Sequence, residues 1–211
     1  SLSNEIIGGA GSDTLLAGNG DDILIADIDP YSSTLRDATV NGGAGTDTLK
    51  LTGSGQKLDL TTNGGAVTLW SDTDGATSRG GGIKLASTAT IATSGGAVSL
   101  SGGTDNTTSW AKGTSSTTET GVILQGTISS GAGSVTIRGE EAATTSTTRQ
   151  GIQMDYLSSI TTSTGDVNIN GIVDASNTDT ANNHYGVFIG TNNASLATIT
   201  TGSGAINIFG D

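Results

Sequence analysis

The sequence predicts an all-β solenoid, and three observations lead there. Apolar and polar residues alternate in short runs such as Val98-Ser99-Leu100 and Val135-Thr136-Ile137, the period of two that places every second side chain on one face of a strand. Runs of this kind recur at regular places along the chain. Of 211 residues, 34 are glycine and one is proline, with hydrophobic residues at 33% and aromatics at 3%. A globular core built on Leu, Phe and Met does not fit that composition, whereas stacked rows of β-branched residues do. Disorder, the competing reading of such a composition, conflicts with the regular recurrence of Val, Ile and Leu.

Charge and cysteine usage narrow the function classes. The formal charge is −12 and the pI is near 4.1, so nucleic acid, which needs a basic footprint, is not an expected partner. An acidic surface suits solubility outside the cell, or divalent cations. With no cysteine, no disulfide supports the fold, and metal is the alternative staple in a calcium-rich exterior. No apolar run approaches the ~18 residues of a membrane span, and no signal peptide is visible. A chain that starts at Ser1 and stops in mid-pattern at Asp211 is expected to be a segment of something longer.

Residues 1–60 are expected to form a calcium-binding unit. Gly8-Gly9-Ala10-Gly11-Ser12-Asp13-Thr14-Leu15-Leu16 fits the nonapeptide G-G-x-G-x-D-x-U-x, where U is large and apolar. The next nine residues, Ala17-Gly18-Asn19-Gly20-Asp21-Asp22-Ile23-Leu24-Ile25, repeat it, and Gly42-Gly43-Ala44-Gly45-Thr46-Asp47-Thr48-Leu49-Lys50 is a third copy. Nine residues before Asp13 and Leu15 stand Asn4 and Ile6, a partial copy. Six residues make a loop and about three make a strand. The glycines allow a tight turn that exposes carbonyl oxygens, and the aspartate adds a carboxylate. Stacked loops can therefore enclose Ca²⁺, a hard cation that prefers oxygen. Asp-Gly text also marks ordinary turns, but three copies favour metal. Residues 1–60 carry nine acidic and three basic side chains, a net −6, and residues 61–211 carry eleven and five, also −6 over a far longer stretch. Crowded carboxylates call for a counter-ion.

These copies resemble the RTX (repeats-in-toxin) β-roll family over residues 4–50. The resemblance implies metal ligands from Asn4, Gly9, Gly11, Asp13, Gly18, Gly20, Asp22, Gly43, Gly45 and Asp47. It also implies that loops two copies apart share a calcium, with Asn4 and Asp22 on one side. Asp13 and Asp47 fall on the other side if residues 26–41, which carry Pro30, are an excursion from the roll. Asp21, Asp27, Asp29 and Asp37 are either further ligands or solvated.

Residues 61–211 show a longer repeat. One strand reads Val67-Thr68-Leu69, Val98-Ser99-Leu100, Val135-Thr136-Ile137, Val167-Asn168-Ile169 and Ile206-Asn207-Ile208, at intervals of 31 to 39 residues. A second opens on glycine at Gly82, Gly121, Gly151 and Gly186, and a short third lies between them at Thr90-Ile91-Ala92, Thr127-Ile128-Ser129, Ser159-Ile160-Thr161 and Thr198-Ile199-Thr200. Three strands per lap predict a parallel β-helix, right-handed by the general rule for parallel crossovers. The fold class expected is thus an all-β solenoid, a short RTX β-roll continuing into a right-handed parallel β-helix. Variable stretches from Asp72 to Gly81, Gly103 to Thr120, Glu140 to Gln150 and Ile172 to Tyr185 should leave from one corner and form one loop-bearing face.

This second pattern, G-[IV]-x-[LM] … T-I … G-x-[VI]-x-[LI]-x-G, resembles the β-helical repeats of filamentous-haemagglutinin-like bacterial adhesins. Together the two resemblances imply secretion, by a type I route for RTX proteins, display on a bacterial cell surface, and contact with glycans or surface proteins of a partner cell.

Three site readings compete with a purely structural one. Trp110 and Tyr185 are the candidates for stacking on sugar; their simpler role is to pack insertions onto the wall. Trp70 is expected to point outward. A polysaccharide lyase or epimerase would need a base and a cation, and a hydrolase paired carboxylates. Arg79, Lys84, Lys112, Arg138, Arg149, His184, Asp155 beside Tyr156, and Glu140 with Glu141 supply such groups, but no spacing unites them, so no enzyme is expected. Outward pairs such as Thr127/Ser129 resemble ice-binding surfaces, though threonine is common on exposed strands.

Overall fold

Each alternating run forms a strand, and the strands stack on their own counterparts one lap away. The computed structural model describes residues 4–7, 14–16, 23–27, 38–41, 46–52, 58–71, 82–113, 120–142, 149–155, 157–175, 184–190 and 196–211, with side chains for residues 4–6 and from residue 60 onward. Among the described residues the elements are all strands, and every pairing is parallel.

The first part alternates between two sheets. Strands β1 (Glu5–Ile7), β3 (Ile23–Asp27), β5 (Thr46–Thr52) and β7 (Ala66–Ser71) lie side by side in one sheet. Strands β2 (Thr14–Leu16), β4 (Ala38–Asn41) and β6 (Leu58–Thr61) lie in the second. Ile6 pairs with Leu24, which is 24 − 6 = 18 residues on, or two nonapeptides. Leu24 then pairs with Leu49 and Leu15 with Val40, each 25 residues apart, so this round is seven residues longer. Residues 26–41 are therefore not wholly an excursion: Ala38–Asn41 is a strand of the second sheet. The extra strand also moves Asp47. It lies in β5, beside β3, and not in the sheet that holds β2.

A third sheet enters at β8 (Ile83–Leu85), and the order becomes third, second, first sheet. The rounds are β8, β9 (Thr90–Ala92) and β10 (Val98–Gly102); β12 (Val122–Leu124), β13 (Thr127–Gly131) and β14 (Val135–Glu140); β15 (Arg149–Met154), β16 (Ser159–Thr162) and β17 (Val167–Ile172); and β18 (His184–Ile189), β19 (Thr198–Thr201) and β20 (Ile206–Gly210). About three turns of parallel solenoid separate β8 from β18. The first and second sheets run unbroken from the two-sheet part into the three-sheet part, through β5–β7 and β6–β9. Two details depart from the sequence reading. Strands β15 and β18 begin two residues before their glycines, at Arg149 and His184. A short strand, β11 (Ala111–Lys112), forms inside the longest insertion and pairs with the end of β14.

Registration puts like on like. Val67, Val98, Val135, Val167 and Ile206 form one column, and Leu69, Leu100, Ile137, Ile169 and Ile208 the next. Leu60, Ile91, Ile128, Ile160 and Ile199 line the second sheet, and Leu85, Leu124, Met154 and Ile189 the third. The middle members of each column, such as Ile128, Ile137 and Leu124, are wholly buried. Each contributes roughly 1.5–3 kcal/mol through burial. The described core contains no aromatic side chain and is filled by Val, Ile, Leu, Ala and Met.

The corner between the second and first sheets repeats a Thr/Ser-x-x-Gly pattern. Thr62, Thr93, Ser130, Thr162 and Thr201 each donate a side-chain hydrogen bond to the carbonyl three residues on, at Gly65, Gly96, Gly133, Gly165 and Gly204, over 2.5–2.6 Å. The hydroxyl satisfies a carbonyl that the turn removes from the ladder. The glycines stack so closely that a Cβ on Gly133 would lie 2.1 Å from the Gly96 oxygen, and one on Gly165 2.1 Å from that of Gly133.

Two substitutions test this corner. Gly165→Ala forces backbone apart and should cost about 1–3 kcal/mol, while Thr164→Ala beside it, on an exposed side chain, should be nearly neutral. Thr162→Val keeps shape, removes the hydroxyl, and should cost about 1–2 kcal/mol by stranding the Gly165 carbonyl. Urea denaturation of the three variants measures all of these.

Candidate functional site

The expected metal ligands fall mostly outside the described residues: Gly9, Gly11, Asp13, Gly18, Gly20, Asp22, Gly43 and Gly45 lie there. Asn4 is exposed just before β1. Asp47 lies in β5, where its backbone pairs with Val67. No group of three or more metal-ligating side chains occurs among the described residues. The condition for placing Asp13 and Asp47 on one side, that residues 26–41 are an excursion, does not hold for Ala38–Asn41, and β5 with Asp47 lies beside β3 in the first sheet.

The loop-bearing edge lies where the chain passes from the first sheet to the third, the crossing at which the variable stretches leave the solenoid. There the structure unites charged residues that are far apart in sequence. Lys112 on β11 stands level with Glu140 at the end of β14. Its Nζ donates to Glu140 Oε1 at 2.7 Å and to Asp174 Oδ2 at 2.6 Å. Asp174 follows β17, one lap on, so one ammonium ties the inserted strand to two successive laps. Burial alone would lower the Lys112 pKa, but the hydrogen bonds to Asp174 and Glu140 outweigh it and hold it above the ordinary 10.5. The next residue, Glu141, is wholly buried and meets His184 Nδ1 at 3.0 Å. Arg149 pairs in register with His184 and is also buried, which draws its pKa below the usual arginine value while leaving it charged. Thr120 donates to Gln150 at 3.3 Å across the same edge.

Sequence spacing shows none of this, because the partners are separated by 28, 62 and 43 residues. Only the unequal loop lengths bring them level. The signal available was the acidic pair at the closing glycine, Glu140-Glu141 after Gly139. Asp155 is not part of the cluster; it accepts from Gln125 Nε2 at 3.0 Å. Tyr156 lies outside the described residues. The arrangement acts as a clamp: Lys112 brings a positive charge to Glu140 and Asp174, and His184 gives the buried Glu141 a hydrogen-bond partner.

The aromatic candidates separate. Trp70 points outward as expected, 42% exposed, and its Nε1 donates to the Gly103 carbonyl at 2.6 Å. Trp110 is half-buried on the first sheet. Tyr185 is exposed on the third sheet, with its ring 5.6 Å from that of Phe188. Trp110 and Tyr185 therefore do not form one surface. The outward rows of the second sheet do form, with Thr127 level with Thr90 and Ser159, and Thr161 level with Ser129 and Thr200.

This geometry defines the chain as a parallel β-solenoid with a charge-clamped, loop-bearing edge. Comparison with known proteins finds no matching family model, no matching curated protein and no matching solved structure.

The Lys112 clamp makes a pH-dependent prediction. A lysine whose folded pKa is raised contributes stability that is fully present below the unfolded value of about 10.5 and is lost as pH rises through the folded value. Lys112→Met should cost about 1–2 kcal/mol at neutral pH, between exposed and fully buried pairs. The gap between variant and parent in denaturant melts should hold to pH 9 and shrink above pH 10.5.

Proposed function

We propose that this chain is a rigid, non-catalytic spacer and contact segment of a large secreted bacterial surface protein, with calcium locking its N-terminal part. The reading joins the likeness of residues 4–50 to RTX nonapeptide repeats with the likeness of residues 61–211 to filamentous-haemagglutinin-like repeats. The observation that carries it is the register of Ile6 with Leu24, two nonapeptides apart in one sheet. Strands that alternate between two sheets with that period bring the loops of every second copy to the same side, which is what shared calcium ligation requires. The net −6 of residues 1–60 supplies the electrostatic need for a cation. In the remainder, unbroken aliphatic columns make a rod whose laps support one another. The clamp at the loop-bearing edge keeps Lys112 occupied with Glu140 and Asp174, which favours a structural use of these groups over an acid–base one. Display outside the cell and contact with glycans or surface proteins of a partner cell complete the proposal.

Calcium titration of the whole chain tests it. Calcium at ~100 times its dissociation constant should add about 2.7 kcal/mol to stability, seen as a rise in melting temperature that chelator reverses. Asp13→Asn combined with Asp22→Asn should abolish most of that rise. A melting temperature and circular dichroism spectrum indifferent to chelator would remove calcium from the proposal.

A further inference from the structure

The outer face of the first sheet carries one row unlike its neighbours. Trp70 pairs with Ser101, and Arg138 pairs with Asn170, which pairs with Phe209. Trp110 immediately precedes Ala111, the partner of Gly139, and so stands level with Arg138 on the inserted strand that joins the end of β14. The row therefore reads Trp70, Ser101, Trp110, Arg138, Asn170, Phe209. From Trp70 on β7 to Phe209 on β20 it crosses four strand spacings, about 19 Å. The adjacent outward row, Thr68, Ser99, Thr136, Asn168 and Asn207, has no aromatic or charged member.

Three properties single this row out. Its end rings are open to solvent, Trp70 at 42% and Phe209 at 57% exposed, and the Trp70 ring is already oriented by its bond to Gly103. Arg138 has no ion pair among the described residues, whereas Lys112, at the next level of the same sheet, is fully engaged. The described residues contain four buried side-chain polar atoms without a hydrogen-bond partner, and three of them are here: Ser101 Oγ, Trp110 Nε1 and Asn170 Oδ1. Ser101 is wholly buried. These atoms are sealed beneath the row, where a buried water, not a surface ligand, is the group that would satisfy them.

We propose that this row is a binding strip for an extended, uncharged polysaccharide. Sugar rings offer apolar faces to the exposed Trp70 and Phe209 rings and hydroxyls to the Arg138 guanidinium, which is the mixed demand the row presents. The charge of the chain selects the occupant. Residues 61–211, which carry the strip, are themselves net −6, which disfavours a polyanion, and the one guanidinium of the row does not reverse that. The strip lies on the three-sheet part and does not depend on the calcium lock.

Titration calorimetry with cellohexaose, xylohexaose and mannohexaose, against trigalacturonate as the acidic probe, tests this at one fixed calcium concentration. At least one neutral oligosaccharide should bind, and trigalacturonate should not. Trp70→Ala and Arg138→Ala, both at solvent-facing positions, should each weaken that binding by about tenfold, and Trp110→Ala should weaken it at least as much. Tyr185→Ala, on the third sheet, should leave it unchanged. Thermal melts of each variant confirm that it is folded. Absence of binding to all three neutral probes, binding of trigalacturonate alone, or binding untouched by both Trp70→Ala and Arg138→Ala overturns the proposal. A failed calcium response leaves it standing.

Discussion

Parallel, in-register stacking is the constraint from which the rest of this molecule follows. Each residue has its counterpart ~4.8 Å above and below, so a property of one lap becomes a property of a column. Where the column is Ile91, Ile128 and Ile160, identical branched side chains nest with no exposed area in the three. Where it is Gly96, Gly133 and Gly165, carbonyl oxygens approach too closely for any Cβ. The corner glycines are a result of this spacing, and they let the backbone turn at every lap.

The same rule makes charge difficult to place. A carboxylate stacked on a carboxylate is destabilising, and a buried one without a partner more so. At the loop-bearing edge the molecule avoids this by breaking the repeat. The inserted strand β11 places Lys112 against Glu140, and the irregular loops set Asp174 and His184 within reach of Lys112 and Glu141. The inserted strand is thus what brings the Lys112 ammonium to the two carboxylates. The outer row from Trp70 to Phe209 arises in the same way, since Trp110 joins it only because the longest insertion returns to the sheet.

Much of the fold was legible in the residues. Every column of the three-sheet part follows from aligning strands such as Val98-Ser99-Leu100 with Val135-Thr136-Ile137, because alternation assigns the face and recurrence assigns the neighbour. Trp70 was readable as outward for the same reason. The corner hydrogen bonds were present in the text as Thr93-x-x-Gly96 and Thr162-x-x-Gly165, but a threonine that closes a turn reads like any exposed threonine until its burial is known. The fourth strand, Ala38–Asn41, was hidden because it has no glycine-aspartate sequence of the nonapeptide kind before it. With that strand counted, Asp47 falls in the first sheet beside β3.

The amino-acid sequence alone determined the class of fold, the content of its columns, the glycine corners and the edge from which the variable loops leave. These depend on local alternation and on periodicity, both written along the chain. Only the tertiary structure decided which loop residues meet: Lys112 with Asp174, Glu141 with His184, and Trp110 level with Arg138. The reason is physical. A strand's position follows from its neighbours at ~4.8 Å, whereas an insertion's end point depends on the path of a segment that no repeat constrains.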